Sequence, residues 1–447
     1  MRMKFNSLRL CEYHIWGNGI LLRRYWQAIK KLKIAAIIDS NPEKWGTFEL
    51  DKKIECIAPD AMPTNTAVIV AIESPIAIAE VKRLLDDKGI EWIHIIEVVD
   101  SLFLHNMKDR DDYTSRSDDK MAKFIDVMVP VSSCNFDCNY CYLHQLKVDN
   151  YKLPKKYHQA KFIRYALRRE RLGGIAFINL CGIGETLLFP ELLSLVRELV
   201  KEGHYIQIVT NATITRVINE FLDSDIDRGH VFFKCSLHYQ ELNKRDLLNQ
   251  YAKNVNNLRE GGYSITLELV PDDCIVAEIE NIKEFCNENF GALPHVTVTR
   301  DESYADNRID TRYSEDEYER IWGQFDSLMF SLKMRYRYRY RYRYCYAGLW
   351  AAQLNLATGE LYKCTNNPRL CNIYENPELP IPFEAVGSKC ALPYCFNCHA
   401  YLTLGLIPEI KVPTYLEMRD KVMENGHHWV SGGIRNIFQQ KLYDNNA

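Results

Sequence analysis

The sequence of 447 residues lacks a long apolar stretch, and no run approaches the ~20 residues that a membrane-spanning helix needs. The N-terminal residues 1–5 are followed by mixed polar sequence and not by the apolar core of a secretory signal. An excess of charge is also lacking, because 56 basic residues stand against 59 acidic ones. Neither nucleic acid nor an anionic membrane is therefore an expected partner. Together these absences predict a cytoplasmic location.

Cysteine, by contrast, is abundant. The count of 15 is odd and no secretory signal accompanies it, which argues against a disulfide framework because the cytosol keeps thiols reduced. The question is which cysteines have the spacing of metal ligands. Six lie within apolar patterns and are predicted to be small core residues: Cys11, Cys56, Cys181, Cys235, Cys274 and Cys286.

Apolar strand patterns alternate with helical ones along most of the chain. Over residues 10–100 the strands are continuous apolar runs, which predicts a small doubly wound parallel sheet. Six strand patterns follow further along: Ile125–Val131, Ala176–Gly182, Tyr205–Asn211, Val231–His238, Ile265–Pro271 and His295–Arg300. Six βα units predict a partial (β/α)6 barrel, whose chemistry belongs at the C-terminal ends of the strands.

The composition predicts five parts in an α/β chain. They are a doubly wound domain (1–105), a polar linker (106–122), the partial barrel (123–330), a small metal-organised domain (331–410) and a tail (411–447). The pattern from Glu315 to Ser331 predicts a helix. Residues 335–344 are five Arg-Tyr pairs, interpreted as an edge strand, although alternating aromatic and basic residues also suit single-stranded nucleic acid.

Cys134, Cys138 and Cys141 follow the first barrel strand with Cys-x3-Cys-x2-Cys spacing. Three thiolates on one short loop can hold three corners of a cubane iron–sulfur cluster and leave the fourth iron open. The alternative is zinc held by the same thiolates and His144.

This loop resembles the cysteine motif of the radical SAM superfamily. The resemblance implies that Cys134, Cys138 and Cys141 ligate a [4Fe–4S] cluster whose open iron binds S-adenosylmethionine (SAM). One electron, from a reductant such as flavodoxin or ferredoxin, would then cleave SAM to a 5′-deoxyadenosyl radical that abstracts hydrogen from a substrate. Phe136 and Tyr140 would pack the loop and shield the cluster.

Further strand-end residues match the superfamily in part. Gly184-Glu185 resembles the central residues of its Gly-Gly-Glu-Pro segment, which holds the methionine group of SAM, although Ile183 and Thr186 replace the outer residues. Asn211 and Ser236 end the next two strands, as do ribose contacts in family members. Strand alternation predicts that two further polar residues, Lys234 and His238, share the lumen face of Ser236. Glu268, a carboxylate in an apolar strand, is a further candidate for this face.

A second cysteine set lies towards the C-terminus. Thirteen residues separate Cys345 from Gly359 and four more separate Gly359 from Cys364, while Cys395 and Cys398 form a Cys-x2-Cys pair. This spacing resembles the single-cluster Twitch form of SPASM/Twitch domains, which implies one auxiliary [4Fe–4S] cluster on these four thiolates. Cys371 and Cys390 are left over, which keeps a second cluster open. The alternative is a zinc ribbon with the same four ligands.

Near the N-terminus, Gly17-Asn18-Gly19 follows a strand, opens a helix and precedes Asp39 by twenty residues. This resembles a dinucleotide-binding fingerprint without its third glycine. It is also similar to Rossmann-like domains of bacterial sugar pathways, which favours a nucleotide or nucleotide-sugar ligand; a degenerate docking domain is the alternative.

The sequence thus predicts a radical SAM enzyme whose substrate is a nucleotide-sugar or related small molecule. A maturase acting on a ribosomal peptide, and an iron–sulfur or zinc scaffold without catalysis, are the alternatives.

Overall fold

The computed structural model describes residues 12–51, 53–104, 113–114, 116, 118–145, 157–304, 308–337, 343–365, 368–388, 390, 392, 394–395 and 397–446, without the side chains of residues 143 and 144. Within these ranges, no helix combines the length and the apolar character needed to cross a membrane.

The described chain alternates strands and helices. The strands are β1 (Glu12–Trp16), β2 (Lys33–Ile38), β3 (Phe48–Glu49), β4 (Ile54–Ile57), β5 (Ala67–Val70), β6 (Glu91–His94), β7 (Met121–Val129), β8 (Ile175–Gly182), β9 (Tyr205–Thr210), β10 (Val231–Leu237), β11 (Ser264–Leu269), β12 (His295–Val296), β13 (Ala351–Asn355), β14 (Glu360–Tyr362) and β15 (Arg369–Asn372). The helices are α1 (Ile20–Ile29), α2 (Pro75–Asp87), α3 (Ile95–Leu104), α4 (Tyr142–Gln145), α5 (Ala160–Ala166), α6 (Arg169–Leu172), α7 (Leu192–Lys201), α8 (Thr215–Leu222), α9 (Tyr239–Lys244), α10 (Leu248–Glu260), α11 (Ile279–Phe290), α12 (Glu315–Gly323), α13 (Leu328–Tyr336), α14 (Cys398–Thr403), α15 (Tyr415–Arg419), α16 (Gly432–Phe438) and α17 (Leu442–Asn445).

The chain divides into two compact units. The first comprises residues 1–111, 154–166 and 372–379, and the second comprises residues 112–153, 167–371 and 380–447. The predicted metal-organised part and tail do not separate from the barrel part in this division, because β13 pairs in parallel with β7 and the C-terminal helices pack onto the same sheet. Residues 106–112, 115 and 117 of the predicted linker (106–122) lie outside the described residues.

The first unit contains a six-stranded sheet in the order β3-β4-β2-β1-β5-β6. All its strands are parallel except β3, which pairs antiparallel with β4. The central strands are apolar on both faces, since Ile15 and Ile69 are fully buried on one face and Ile38 and Val70 on the other. The chain order reverses between β1 and β5, which is where doubly wound sheets bind ligands.

The second unit contains a nine-stranded sheet in the order β12-β11-β10-β9-β8-β7-β13-β14-β15. Strands β7 to β12 are parallel and each pairs with the next in chain order. A mixed α/β fold with parallel sheets is therefore confirmed. The last predicted strand, His295–Arg300, is short, because only His295 and Val296 pair with β11.

The inward face of the second sheet changes from apolar to polar along the strands. Near their N-terminal ends, Phe177 and Phe232 pack against Tyr415 and Phe438 of the C-terminal segment, with ring centroids 4.9–5.4 Å apart. These rings belong to one large core that also contains the buried residues of α14 to α17. The residues predicted as a tail therefore cover one end of the sheet.

Two local predictions were wrong and one was confirmed. The helix predicted over Glu315–Ser331 is two helices, because Asp326 adopts a left-handed conformation (φ 46°) and the Ser327 side chain caps α13. The Arg-Tyr run begins inside α13 and not in a strand, while residues 338–342 lie outside the described residues. The sequence from Leu354 to Lys363 also predicts a strand, a turn and a returning strand between Cys345 and Cys364, and this hairpin is present as β13 and β14.

Candidate active site

The first cysteine loop begins directly after β7 and is bonded to the turn that follows β8. The backbone N–H of Gly184 donates to the Val131 carbonyl (2.9 Å), and that of Glu185 donates to the Ser133 carbonyl (2.9 Å). A Cβ atom on Gly184 would lie 2.0 Å from the Ser133 carbonyl oxygen. This close approach between two backbones requires glycine at position 184.

Glu185 and Asn211 fasten neighbouring strand ends to each other. Glu185 is 3% exposed, and its carboxylate accepts hydrogen bonds from the Thr210 hydroxyl (2.6 Å), the Asn211 N–H (2.8 Å) and the Leu187 N–H (2.9 Å). The Asn211 side chain donates to Asn135, inside the cysteine loop (2.8 Å). Burial raises the pKa of Glu185. Both residues therefore position the loop through contacts within the chain.

Two aromatic side chains of the loop pack against His238, which directly follows β10. The Tyr140 hydroxyl hydrogen-bonds Nδ1 of His238 (2.7 Å), and the two rings stack. Phe136 is buried and meets the same imidazole edge to face. Burial lowers the pKa of His238 to about 4, so this imidazole is neutral near pH 7.

Two contacts of the loop escaped the sequence interpretation. Asn135 hydrogen-bonds Thr213 (2.8 Å), and the Asp137 N–H donates to the Glu241 carboxylate (3.3 Å), which also holds Arg245 (2.8 Å). In the sequence, the indication of these contacts was the position of Thr213 and Glu241 just after the ends of β9 and β10. The loop is thus held by the C-terminal ends of three successive strands.

The three thiols of the loop lie close together. A negative charge on Cys141 raises the pKa of Cys134, and a negative charge on either of these raises the pKa of Cys138. Burial raises the pKa of Cys134 and raises that of Cys138 to about 12, so neither forms a thiolate readily on its own. Bound iron would supply the positive charge that stabilises such thiolates, and three thiol donors suit a cubane cluster. The loop therefore fits the predicted cluster.

A single zinc ion, the alternative to the cluster, requires ligand side chains that converge on one point. Among the described residues, no group of three Cys, His, Asp or Glu side chains is arranged to hold one ion. The side chain of His144, the fourth ligand of the zinc alternative, lies outside the described part of the chain.

Beside the loop, polar side chains line the inward face of the sheet. The predicted alternation is present, because Lys234, Ser236 and His238 are half-buried while the residues between them are fully buried. Cys181 and Asp126 on the same face are likewise half-buried, so both keep accessible surface. Cys181 is therefore not the core residue that its apolar context predicted.

Other predicted core cysteines fall into three groups. Cys56, Cys235 and Cys286 are buried as predicted, whereas Cys274 is exposed and accepts a long hydrogen bond from Asn139 (3.8 Å). Cys11 lies outside the described residues.

The second cysteine set gathers beside the β13–β14 hairpin. Cys345 pairs with Gly387 through two backbone hydrogen bonds of 3.0 Å, and Cys364 lies within electrostatic range of Cys345. Burial raises the pKa of Cys345 to about 12. Cys390, left over in the sequence interpretation, lies within range of both thiols because Gly387 carries the chain past Cys345.

The Cys395–Cys398 segment lies against the same hairpin. Cys345 and Cys395 both pack against the buried cluster that contains Cys398. The Tyr401 hydroxyl donates to the Cys364 sulfur (3.5 Å), and Asn397 donates to Asp126 on the inward face of β7 (3.0 Å). The second cysteine set therefore lies beside the inward face of the sheet.

The third predicted site lies in the first unit, at the switch between β1 and β5. Asp39 accepts hydrogen bonds from the Asn18 N–H (3.0 Å), the Asn41 N–H (2.9 Å) and the Lys44 ammonium (2.9 Å). Gly17 has a φ of 111°, and a Cβ there would lie 2.7 Å from the Ala71 carbonyl oxygen. A ribose at Asp39 would have to replace Lys44, so nucleotide binding stays a prediction.

Comparison with known families gives one match. Residues 128–285 match the family model described as the Radical SAM superfamily. No curated protein matches the sequence.

Solved structures are only distantly similar. SuiB of Streptococcus suis bound to S-adenosylmethionine is 16% identical over 57% of this chain, with a TM-score of 0.42, and the chain spans 64% of the length of that SuiB chain. SuiB bound to its precursor peptide SuiA is 15% identical over 69% of this chain and 76% of its own, with a TM-score of 0.41. The anSMEcpe protein with bound AdoMet is 14% identical over 56% of this chain and 78% of its own, again with a TM-score of 0.41.

TM-scores this low do not establish a shared overall fold. The family match is independent of them and covers the cysteine loop, the Gly184 turn and β8 to β11. Residues 128–285 are therefore similar to a radical SAM domain.

Proposed function

We propose that the protein is a radical SAM enzyme that abstracts hydrogen from a substrate carbon. The observation that carries the proposal is the backbone pairing of the Cys134–Cys141 loop with the Gly184–Glu185 turn. It fixes three thiols at the C-terminal ends of parallel strands, within the region that matches the family. A [4Fe–4S] cluster with bound SAM would supply the 5′-deoxyadenosyl radical there.

The chain's own residues have three tasks in this proposal. Cys134, Cys138 and Cys141 ligate the cluster, while Phe136 and Tyr140 exclude water from it. Gly184 lets the turn approach the loop, and the turn's backbone faces the methionine group of SAM. Ser236 is the proposed ribose contact, whereas Glu185 and Asn211 hold the strand ends that form the pocket.

The substrate is a small molecule such as a nucleotide-sugar in the first version of the proposal and a ribosomal peptide in the second. Oxidation, epimerisation and bond formation all begin with the same abstraction. A scaffold without catalysis would bind the metal but would not cleave SAM.

Electron paramagnetic resonance (EPR) of the reconstituted, reduced protein tests the proposed SAM site. Adding SAM is expected to shift the g-values of the reduced cluster, because the open iron gains amino and carboxylate ligands. A spectrum that is unchanged at saturating SAM would contradict the proposal.

Gly184→Ala is expected to weaken SAM binding about tenfold or more. The new Cβ must displace the Ser133 backbone, and such overpacking costs roughly 1–3 kcal/mol. Equilibrium dialysis with labelled SAM measures the change. Gly323→Ala is the matched control, because a Cβ there meets nothing within 4 Å. Equal affinities in both variants would show that the turn does not face SAM.

For the auxiliary site, we propose one cluster on Cys345, Cys364, Cys395 and Cys398, with Cys390 as a competing fourth ligand. A Cys345→Ala/Cys364→Ala variant is expected to lose about half of the iron, since each [4Fe–4S] cluster holds four atoms. The iron content of a Cys390→Ser variant is compared with that of a Cys371→Ser variant, since Cys371 is the other leftover cysteine. Iron retained in all these variants, or zinc in its place, would contradict the auxiliary cluster.

A further inference from the structure

Below Ser236, towards the N-terminal end of β10, lies a cluster of charged side chains on the inward face of the sheet. Lys234 is two residues from Ser236, about 7 Å along the strand. Its ammonium group pairs with Glu268 on β11 (3.0 Å), and Arg419 of α15 pairs with the same carboxylate oxygen (2.8 Å). Although burial alone would raise it, Lys234 and Arg419 hold the pKa of Glu268 well below its usual range.

A third cation completes the cluster. Lys333 of α13 donates to the Thr297 hydroxyl and lies within electrostatic range of both Glu268 and Lys234. Lys333 is half-buried and keeps accessible surface. Three cations thus surround Glu268. Asp126, the other carboxylate within range of Lys234, is bonded to Asn179 (2.8 Å) and Asn397 (3.0 Å).

The ammonium groups of Lys234 and Lys333 have N–H donors that the described contacts do not use. Each carries three N–H groups, and the described contacts occupy one on Lys234 and one on Lys333. Nearby, Nδ1 of the buried His399 has no hydrogen-bond partner among the described residues. Positive charge that exceeds its counter-charge is costly away from bulk water, and an anion with several acceptor oxygens would offset that cost.

We infer that the substrate carries an oxyanion group, a carboxylate, sulfate or phosphate, which binds between Lys234 and Lys333. The inference rests on the proposed function, because it treats the space below Ser236 as the substrate side of the SAM site. Glu268 and Arg419 then position Lys234 and do not contact the substrate.

Isothermal titration of the reconstituted, SAM-saturated protein with inorganic phosphate, sulfate and acetate at constant ionic strength tests the inference. Saturable binding is expected, and Lys234→Met/Lys333→Met is expected to weaken it about tenfold or more, as two charge-assisted hydrogen bonds are lost. Lys333→Met alone keeps the Lys234–Glu268 pair and is the variant to use if the double variant unfolds. Lys253→Met, exposed on α10, is the matched control.

The outcomes separate the alternatives. Preference for phosphate or sulfate over acetate identifies the oxyanion type. Absence of saturable binding, or equal binding by wild type and variants, overturns the inference. Loss of SAM affinity together with oxyanion affinity assigns the anion to the methionine carboxylate of SAM and also overturns it. The wild-type protein could instead bind oxyanions through these lysines while its EPR spectrum stays unchanged when SAM is added. That result would refute the proposed function but not the oxyanion site.

Discussion

Replacing Cys134, Cys138 and Cys141 together with alanine is expected to reduce formation of 5′-deoxyadenosine from SAM to the background rate. The loop would lose all three proposed cluster ligands, while its contacts to Gly184, Glu185 and the strand ends use backbone and other side chains. The fold should therefore survive. Chromatography of the products after reduction with dithionite measures the effect.

Cys274→Ala is the stringent control for this experiment. Cys274 is an exposed thiol that contacts Asn139 of the same loop, so it tests whether any nearby cysteine can serve. The control is expected to cleave SAM at the wild-type rate. Cleavage that survives the triple substitution would refute the assignment of the loop.

Phe438→Ala is expected to destabilise the protein by roughly 3–5 kcal/mol, the usual cost of removing a fully buried aromatic side chain. The Phe438 ring meets Phe177, Phe232 and Tyr415 at centroid distances of 4.7–5.1 Å. Because these contacts join the C-terminal segment to β8 and β10, their loss should expose the inward face of the sheet. Denaturant unfolding followed by tryptophan fluorescence measures the change.

Gln439→Ala, at the neighbouring exposed position, is the matched control and is expected to change stability by less than about 0.5 kcal/mol. Similar midpoints for the two variants would mean that the C-terminal segment is a dispensable tail.

Periodicity in the sequence was sufficient for most of the fold. Mainly apolar runs located β8, β9 and β10 to within a residue or two, because strands packed on both faces are rich in apolar residues. The break between α12 and α13 escaped prediction, since it depends on a left-handed Asp326 that the helical pattern does not mark. The pairing of β13 with β7 joins residues more than 200 positions apart, which no local pattern encodes.

For the candidate site, spacing predicts the cysteines but not their surroundings. The three thiols of the first loop were recognisable because their separations suit one cluster. The roles of Glu185 and Asn211 were not, since their polar atoms bond to strand ends brought together only by the sheet. The same limit applies to Cys390, whose approach to Cys345 depends on the Gly387 pairing, and to Arg419, which reaches Glu268 across 151 positions.

The central claim is that this chain uses its first cysteine loop to cleave SAM. The most direct measurement is the yield of 5′-deoxyadenosine per chain from anaerobically reconstituted wild-type protein supplied with SAM and dithionite. The account predicts at least about one equivalent, formed in proportion to the iron retained by the Cys134–Cys141 loop. Protein that holds this cluster and yields no 5′-deoxyadenosine would contradict it.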